Sequence, residues 1–356
     1  MKTIKVRTQR EYSVYIGDSL LDRAGEYIYD AVGGDIAAII TDDVVSSIYL
    51  NRLRASMKNA GFKSVVFTVR NGEGSKNVFT CSRALEFLAD NKVTRTDVVV
   101  ALGGGVVGDI AVFTAATYLQ GVPCVLIPTT LLAAVDASVG GKAALNMETG
   151  KDLVGVFHQP VLVLTDCKLL EELPPRVFVE GCSEIIKFAM VADSELFNML
   201  ANDTSLDLEE VVARCVDIKR IIVGRDEFEN GERRLLDFGH TIGHAVEFLS
   251  KFMISHGKAV SIGMAVEALA AFRLGMCDQD CYNGLIDTLH KYGLPVRTRF
   301  EADELMRAAM TDKKRRGDSL LMVFPRKVGK CILSSVSITE YEKVIKQRTS
   351  AVGEML

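Results

Sequence analysis

The chain passes from strand to helix through a glycine-rich turn in the stretch Val98-Val99-Val100-Ala101-Leu102-Gly103-Gly104-Gly105-Val106-Val107-Gly108-Asp109. A helical pattern, Ile110-Ala111-Val112-Phe113-Thr114-Ala115-Ala116, follows directly. Glycines let backbone N–H groups approach a phosphate, and the helix amino terminus adds a favourable dipole. The stretch therefore predicts a cradle for a pyrophosphate. Its spacing is not the usual GxGxxG, so a merely tight turn is the alternative.

Three other segments extend this predicted nucleotide site. Thr129 and Thr130 end a later strand, at the carboxyl edge of a parallel sheet where ligands bind. Asp42 follows another strand and is either a partner of a ribose hydroxyl or a plain cap, while Glu73 and Lys76 either contact the nucleotide or lie in a surface loop. The predicted cofactor-binding set is Asp42, Glu73, Lys76, Gly103, Gly104, Gly105, Val106, Val107, Gly108, Asp109, Thr129 and Thr130.

The first half of the chain alternates short apolar runs with helical patterns. The runs of strand length are Ile36–Ile40, Ser64–Phe67, Asp97–Leu102, Pro123–Ile127 and Val161–Leu164. This rhythm predicts a parallel sheet wrapped by helices. From Pro174 onward, long stretches of helical period predict a mainly helical second half. Because two prolines interrupt the chain at Pro174-Pro175, we expect an α/β domain over residues 1–173 and a helical domain over 174–356.

Composition excludes several functional classes. The chain has 356 residues, 48% of them hydrophobic and 25% charged, with a net charge of −4. This balance is typical of a globular protein and argues against nucleic-acid or membrane partners, which need a basic surface. The amino terminus shows no apolar signal-peptide core and predicts a strand instead. Eight cysteines without a CxxC pair indicate reduced thiols, so we expect a cytoplasmic protein.

Three of the five histidines fall within seventeen residues, which suggests a metal site. His240 and His244 are one helical turn apart, which suits two ligands or one ligand and one catalytic base, and His256 follows. Glu184 is the best carboxylate to complete the set, because an isolated glutamate is costly to bury in an apolar helix without a cation. The alternative is that the histidines cap helices or satisfy hydrogen bonds in the core. A set of two histidines and one glutamate leaves an open position and predicts a catalytic zinc ion.

Several cations stand in apolar or glycine-rich stretches rather than on polar faces. They are Lys142, Lys151, Lys187, Lys219 and Arg233. Cations in such settings usually have an anion partner, so a phosphorylated substrate fits them, although Lys151 or Lys219 alone could be a solvated charge. The run Asp312-Lys313-Lys314-Arg315-Arg316 is typical of a solvated loop. Only one of its cations need reach a ligand.

Four motifs, in order, resemble the 3-dehydroquinate synthase family: GGGVVGD (103–109), IPTTLLAAVDASVGGK (127–142), LPPRVFVEGCSEIIK (173–187) and FGHTIGHAVE (238–247). The resemblance implies a Rossmann-like NAD-binding domain, a helical metal- and substrate-binding domain, a site between them and a homodimer. It implies zinc, with cobalt as an alternative, bound by Glu184, His240 and His256. The implied catalytic residues are Lys142, Lys187, Lys219, Arg233 and His244. The implied substrate-binding residues are Asp136, Lys151, Asp152, Asp237, Lys313 and Lys314.

The family converts 3-deoxy-D-arabino-heptulosonate 7-phosphate to 3-dehydroquinate in the shikimate pathway, and NAD ends unchanged. The reaction implied is oxidation of a metal-held hydroxyl, elimination of phosphate, return of the hydride and ring closure by an internal aldol step. Lysines stabilise the departing phosphate, and His244 is a candidate proton carrier.

The chain departs from the family pattern at Gln120, Asp152, Asp237 and Lys258, where arginine, asparagine, asparagine and glutamate are usual. An ionised aspartate only accepts hydrogen bonds, so it repels a carboxylate or phosphate unless a lysine neutralises it. A sibling cyclase, of the 2-epi-5-epi-valiolone synthase or 2-deoxy-scyllo-inosose synthase type, is therefore an alternative. A polyol dehydrogenase of the glycerol dehydrogenase type is another, although it has no use for the lysine set.

Overall fold

The computed structural model describes residues 1–148, 150–203, 206–309, 315–316 and 319–351. The chain divides into two compact units. Unit 1 comprises residues 1–178 and 207–227, and unit 2 comprises residues 179–206 and 228–356. The chain therefore leaves unit 1, returns to it for one helical segment and leaves it again.

A seven-stranded sheet forms the centre of unit 1, in the order β1-β2-β9-β6-β5-β3-β4. Its strands are β1 (Lys2–Val6), β2 (Tyr12–Gly17), β3 (Ile36–Asp42), β4 (Lys63–Val69), β5 (Val98–Gly103), β6 (Cys124–Pro128) and β9 (Leu162–Asp166). Only β1 runs antiparallel to its neighbour, β2. All six residues of β5 are buried, as expected for a parallel strand covered on both faces. The predicted parallel sheet is confirmed.

The helices of unit 1 that surround this sheet are α1 (Ala24–Val32), α2 (Asp43–Asn59), α3 (Val78–Asp90), α4 (Gly105–Thr117), α5 (Cys167–Glu171) and α8 (Leu208–Arg225). One core cluster joins the sheet to helices α1 and α2 through buried side chains such as Ile28, Leu53 and Val100. A two-stranded antiparallel hairpin, β7 (Lys142–Met147) and β8 (Gly150–Phe157), packs against α4.

The strand order places a topological switch point between β3 and β5. The chain goes from β3 to β4 on one side of β3 and then returns to place β5 on its other side. Ligands of open parallel sheets bind at such a point, beyond the carboxyl ends of the strands. Asp42 and Gly103 are the last residues of these two strands, so these two predicted cofactor residues lie at the switch point.

Unit 2 is mainly helical, as predicted, and also contains a small sheet that the sequence patterns did not predict. Its helices are α7 (Ser194–Asn202), α9 (His240–Leu249), α10 (His256–Arg273), α11 (Gln279–Lys291), α12 (Ala302–Ala309) and α13 (Ile338–Ala351). Helix α6 (Pro175–Ala192) contains the boundary between the units. The antiparallel sheet comprises β10 (Arg315–Arg316), β11 (Ser319–Lys327) and β12 (Lys330–Ser337).

Two further expectations concern the chain as a whole. All eight cysteines are free and buried, which agrees with the expectation of reduced thiols. Within the described residues, no helix combines the length and the apolar composition that a membrane crossing requires.

Candidate metal centre and cofactor cradle

The three predicted metal ligands come together in unit 2. Glu184 lies on α6, His240 is the first residue of α9 and His256 is the first residue of α10. One oxygen of Glu184, Oε1, lies 3.8 Å from His240 Nε2 and 3.5 Å from His256 Nε2. Two ligands of a tetrahedral zinc ion are about 3.4 Å apart, given metal–ligand bonds of about 2.0–2.1 Å. Both separations are close to this value, and the three residues offer donor atoms that all lie within 4.8 Å of one another.

The second ring nitrogen of each ligand histidine faces an oxygen atom. His240 Nδ1 lies 3.1 Å from the carbonyl oxygen of Phe238, and His256 Nδ1 lies 3.1 Å from Glu247 Oε2. Both oxygens are acceptors, so each Nδ1 carries the proton and each Nε2 presents a lone pair towards Glu184. Burial lowers the pKa of His240 to about 4, which keeps its ring neutral. These residues fit a divalent metal.

Close helix packing holds the ligands in place. A Cβ atom on Gly257 would lie 2.3 Å from the Glu180 carbonyl oxygen, and one on Gly263 would lie 1.9 Å from the Gly239 carbonyl oxygen. Glycine at these two positions therefore allows α10 to approach α6 and the start of α9. Glu180 accepts a hydrogen bond from Gly257 N at 3.0 Å, and so anchors the amino terminus of α10.

Lys187, a predicted catalytic residue, lies one helical turn after Glu184. Its side chain is 1% exposed, and its Nζ lies 2.6 Å from Glu184 Oε2. The ammonium also lies 4.5 Å from the centre of the Phe188 ring. A buried cation therefore balances the one carboxylate of the predicted ligand set, while the other Glu184 oxygen faces the histidines.

Three further predicted residues of unit 2, Arg233, Asp237 and His244, lie just before α9 or within it. Arg233 is 3% exposed and, like Asp237, belongs to the 3₁₀ turn Glu232–Asp237 that precedes α9. The His244 ring centre lies 5.5 Å from that of His240 and 6.1 Å from that of His256. Among the described residues, His244 also forms a second potential metal set with Glu247 and His256. Lys313 and Lys314 lie outside the described residues.

The predicted nucleotide cradle lies in unit 1, between β5 and α4. Gly103 ends the strand, Gly104 caps the helix and Gly105 begins it, so the free N–H groups of the first turn of α4 lie at the carboxyl edge of the sheet. A cavity there is lined by Gly103, Gly104, Gly105, Gly108, Pro128 and Ser138. The hydroxyls of Thr129 and Ser138 are buried and have no hydrogen-bond partner within the described part of the chain. The cradle thus offers polar atoms to a bound nucleotide.

Lys76 joins three of the predicted unit 1 residues in one ion cluster. Its Nζ lies 2.6 Å from Asp109 Oδ2, 2.6 Å from Asp152 Oδ1 and 4.0 Å from Glu73 Oε1. Burial raises the pKa of Asp109 to about 6 against the attraction of Lys76, and the charges on Asp152 and Glu73 raise it further. The aspartate that replaces the usual asparagine at position 152 therefore has a lysine partner.

Other predicted residues of unit 1 occupy three places. Asp136 lies in a π-helical turn, Ala133–Ala137, and accepts hydrogen bonds from Lys219 through its side chain and, at 2.6 Å, its carbonyl oxygen. Lys142 and Lys151 are half-buried on the β7–β8 hairpin. Asp42 caps α2, because its Oδ1 accepts from Val44 N and Val45 N at 2.9 Å each. Its part in ribose binding stays a prediction.

Sequence reasoning missed two carboxylates that contact the ligand helices, Glu180 and Glu247. A signal was available for both. Glu180 precedes Glu184 by one helical turn, and Glu247 follows His240 by two turns and His244 by nearly one. Each therefore shares a helix face with a predicted ligand, and each is an acid in an otherwise apolar helix.

Two family models match consecutive parts of the chain. The model of the 3-dehydroquinate synthase N-terminal part matches residues 66–180, and that of the C-terminal part matches residues 181–315. The chain is 38% identical to the 3-dehydroquinate synthase of Streptococcus thermophilus over 347 residues, covering 95% of this chain and 98% of that one. It is 37% identical to that of Clostridium acetobutylicum over 354 residues, covering 97% and 99%.

Solved structures of two sibling cyclases are similar over nearly the whole chain. A 2-epi-5-epi-valiolone synthase from Streptomyces hygroscopicus, with NAD+ and Zn2+ bound, is 27% identical with a TM-score of 0.88 over 98% of this chain and 99% of that one. A 2-deoxy-scyllo-inosose synthase, complexed with carbaglucose-6-phosphate, NAD+ and Co2+, is 26% identical with a TM-score of 0.86 over 97% and 100%. A probable glycerol dehydrogenase from Sinorhizobium meliloti shares the fold alone, at 15% identity and a TM-score of 0.63 over 95% and 97%.

Proposed function

Because this chain belongs to the 3-dehydroquinate synthase family, we propose that it converts 3-deoxy-D-arabino-heptulosonate 7-phosphate to 3-dehydroquinate and phosphate. It is then a phosphorus–oxygen lyase of the shikimate pathway, which supplies aromatic amino acids. The observation that carries the proposal beyond family membership is the convergence of Glu184, His240 and His256, with the buried cation of Lys187 beside them.

Bound NAD supplies a reversible hydride acceptor, and zinc, or cobalt in its place, supplies a Lewis acid that holds and acidifies a substrate hydroxyl. Glu184, His240 and His256 hold the metal, and the cradle Gly103–Gly104–Gly105 with Thr129 receives the cofactor. Lys187 balances the negative charge of Glu184, because its ammonium lies 2.6 Å from the carboxylate. His244 carries a proton, since its ring lies beside both ligand rings.

The proposal gives the other predicted residues roles towards an anionic substrate. Lys142, Lys219 and Arg233 stabilise the charge of the departing phosphate, and Asp136 orients Lys219 through their hydrogen bonds. Lys151, Asp152, Asp237, Lys313 and Lys314 bind the substrate. The division into an NAD-binding domain over 1–173 and a metal- and substrate-binding domain over 174–356 belongs to this proposal, as do a homodimeric assembly and a cytoplasmic location.

The contact between Lys76 and Asp152 favours the proposed substrate over that of a sibling cyclase. Without a partner, the carboxylate at position 152 repels an anionic substrate group, and a sugar phosphate without a carboxylate is then preferred. Lys76 Nζ lies 2.6 Å from Asp152 Oδ1, so this carboxylate has a cation partner, which it shares with Asp109. Asp237 keeps the sibling activity as the second candidate, because its charge acts on the ligand His240: burial lowers the pKa of that ring, and Asp237 opposes the shift.

Phosphate release by the zinc-loaded protein with NAD tests the proposal. We would compare 3-deoxy-D-arabino-heptulosonate 7-phosphate, sedoheptulose 7-phosphate and glucose 6-phosphate as substrates, with a chelator-treated sample as the control. Turnover of only the first supports the proposed reaction. Turnover of either of the others, with the first inert, assigns the chain to a sibling cyclase instead. Net reduction of NAD by a simple polyol, without phosphate release, identifies a dehydrogenase.

A further inference from the structure

We propose that Glu247 is a positioning residue for the metal, whose carboxylate fixes the His256 ring so that Nε2 faces the metal position. The inference rests on the proposed function, because it concerns the same metal site. It goes beyond it, because Glu247 belongs to neither the predicted ligand set nor the predicted catalytic set.

The two ring nitrogens of His256 face different carboxylates. Nδ1 lies 3.1 Å from Glu247 Oε2, at hydrogen-bond distance, while Nε2 lies 3.5 Å from Glu184 Oε1. The Glu247 side chain is 5% exposed, so water competes little for this contact. A ring nitrogen that donates a proton to a carboxylate has no lone pair for a metal. Glu247 therefore fixes the tautomer in which Nε2 is the ligand atom.

The two histidine ligands differ in what holds them. The acceptor for His240 Nδ1 is the carbonyl oxygen of Phe238, which belongs to the backbone two residues away. The acceptor for His256 is a side chain nine residues away, on the last turns of the preceding helix. Because His256 begins α10 and is more exposed than His240, the contact with Glu247 helps to orient its ring. A carboxylate partner also makes the opposite nitrogen a stronger ligand.

The second potential metal set is the competing interpretation. His244, Glu247 and His256 also bring one donor atom each within 4.8 Å of one another, and a metal there would make Glu247 a ligand. That arrangement uses neither Glu184 nor His240, although both direct an atom to the position that His256 Nε2 faces. The structure therefore favours Glu247 as the carboxylate behind the ligand rather than as the ligand.

The test compares Glu247→Ala and Glu247→Gln with Ser261→Ala. Ser261 is a matched control, because it is buried in the same helix as His256 and donates one hydrogen bond, to the Pro295 carbonyl oxygen at 2.7 Å. Zinc affinity is measured by competition with a chromogenic chelator. The His256 tautomer is read from nitrogen-15 NMR of the metal-free protein at pH 8.

We expect Glu247→Ala to weaken zinc binding by about 10–100-fold and to shift His256 away from the Nδ1–H tautomer. Glu247→Gln keeps an acceptor oxygen without the charge and is expected to lose less affinity, which makes the test possible if the alanine variant is poorly folded. Ser261→Ala should match the unmodified protein in both measurements.

Two results would overturn the inference. One is an unchanged zinc affinity and tautomer in Glu247→Ala. The other is loss of stoichiometric zinc in Glu247→Ala combined with its retention in Glu184→Ala, which makes Glu247 a ligand. A protein that binds zinc with these expected differences but releases no phosphate from the three sugar phosphates contradicts the proposed function and leaves the role of Glu247 intact.

Discussion

The metal centre and the cluster around Lys76 differ in how their charges are balanced. In the metal centre, the one carboxylate of the ligand set, Glu184, is balanced by Lys187, and the other two donors are neutral rings. In unit 1, Lys76 faces both Asp109 and Asp152, with Glu73 at 4.0 Å. The second cluster carries more negative charge, yet among the described residues the two potential metal sets both lie in the first region. Convergent donor atoms, rather than an excess of acids, make a metal site.

Removal of the carboxylate ligand, Glu184, is expected to have the largest effect. Glu184→Gln deletes the charge and keeps the size of the side chain, so we expect loss of bound zinc and a fall in kcat of about 1000-fold or more, given that Lewis-acid assistance contributes several kcal/mol. Metal content by mass spectrometry and phosphate release measure the two effects. A variant that keeps stoichiometric zinc would remove Glu184 from the ligand set.

Removal of Lys187 tests whether the buried carboxylate of Glu184 needs a cation partner. Lys187→Met leaves Glu184 as a buried carboxylate without its 2.6 Å partner, and we expect the metal-free protein to lose about 3–5 kcal/mol of unfolding free energy. Added zinc should restore part of this loss, because the ion supplies the missing positive charge. Denaturant unfolding with and without zinc gives both values. Equal stability of the variant and the unmodified protein without metal would show that the pair contributes nothing.

The third prediction concerns the close helix contact that brings the donors together. Gly263→Ala places a methyl group against the Gly239 carbonyl oxygen, so we expect a destabilisation of about 1–3 kcal/mol and weaker zinc binding. Gly284→Ala is the control in the same unit, since its nearest neighbour, Phe197, would lie at an ordinary 3.8 Å. The control should be neutral or slightly stabilising in thermal unfolding.

The smallest effect on stability is expected from a substitution in the ion cluster around Lys76. The folded-state pKa of Asp109 is raised to about 6, so its contribution to stability is full below the unfolded value of about 4 and is lost as pH rises through 6. Asp152→Asn removes a charge that raises this pKa. We therefore expect the pH dependence between 4 and 6 to shrink, by less than about 1 kcal/mol because Asp152 is partly exposed. Unfolding midpoints across this range, with Asp90→Asn as the exposed control, measure it.

Local patterns predicted most of the elements. The apolar runs around Val98 and Val161 are strands, and the helical periods after Ala259 and Ala302 are helices, because each depends on neighbours a few residues away. The strands β11 and β12 were not predicted. Their burial does not alternate strictly along the chain, and it depends on packing against α10 and on antiparallel pairing with each other.

The residue types of the candidate site can be predicted from the sequence alone. The sequence places two histidines one helical turn apart, a third shortly after them and one acid in an apolar helix. Metal binding is the role that best explains this combination of side chains. The tertiary structure decided which charges meet: Lys76 and Asp152 are 76 residues apart, Lys219 and Asp136 are 83 apart, and Glu247 meets His256 across a turn between two helices. Only the packing of the elements brings such groups within hydrogen-bond distance, and no short-range periodicity encodes that packing.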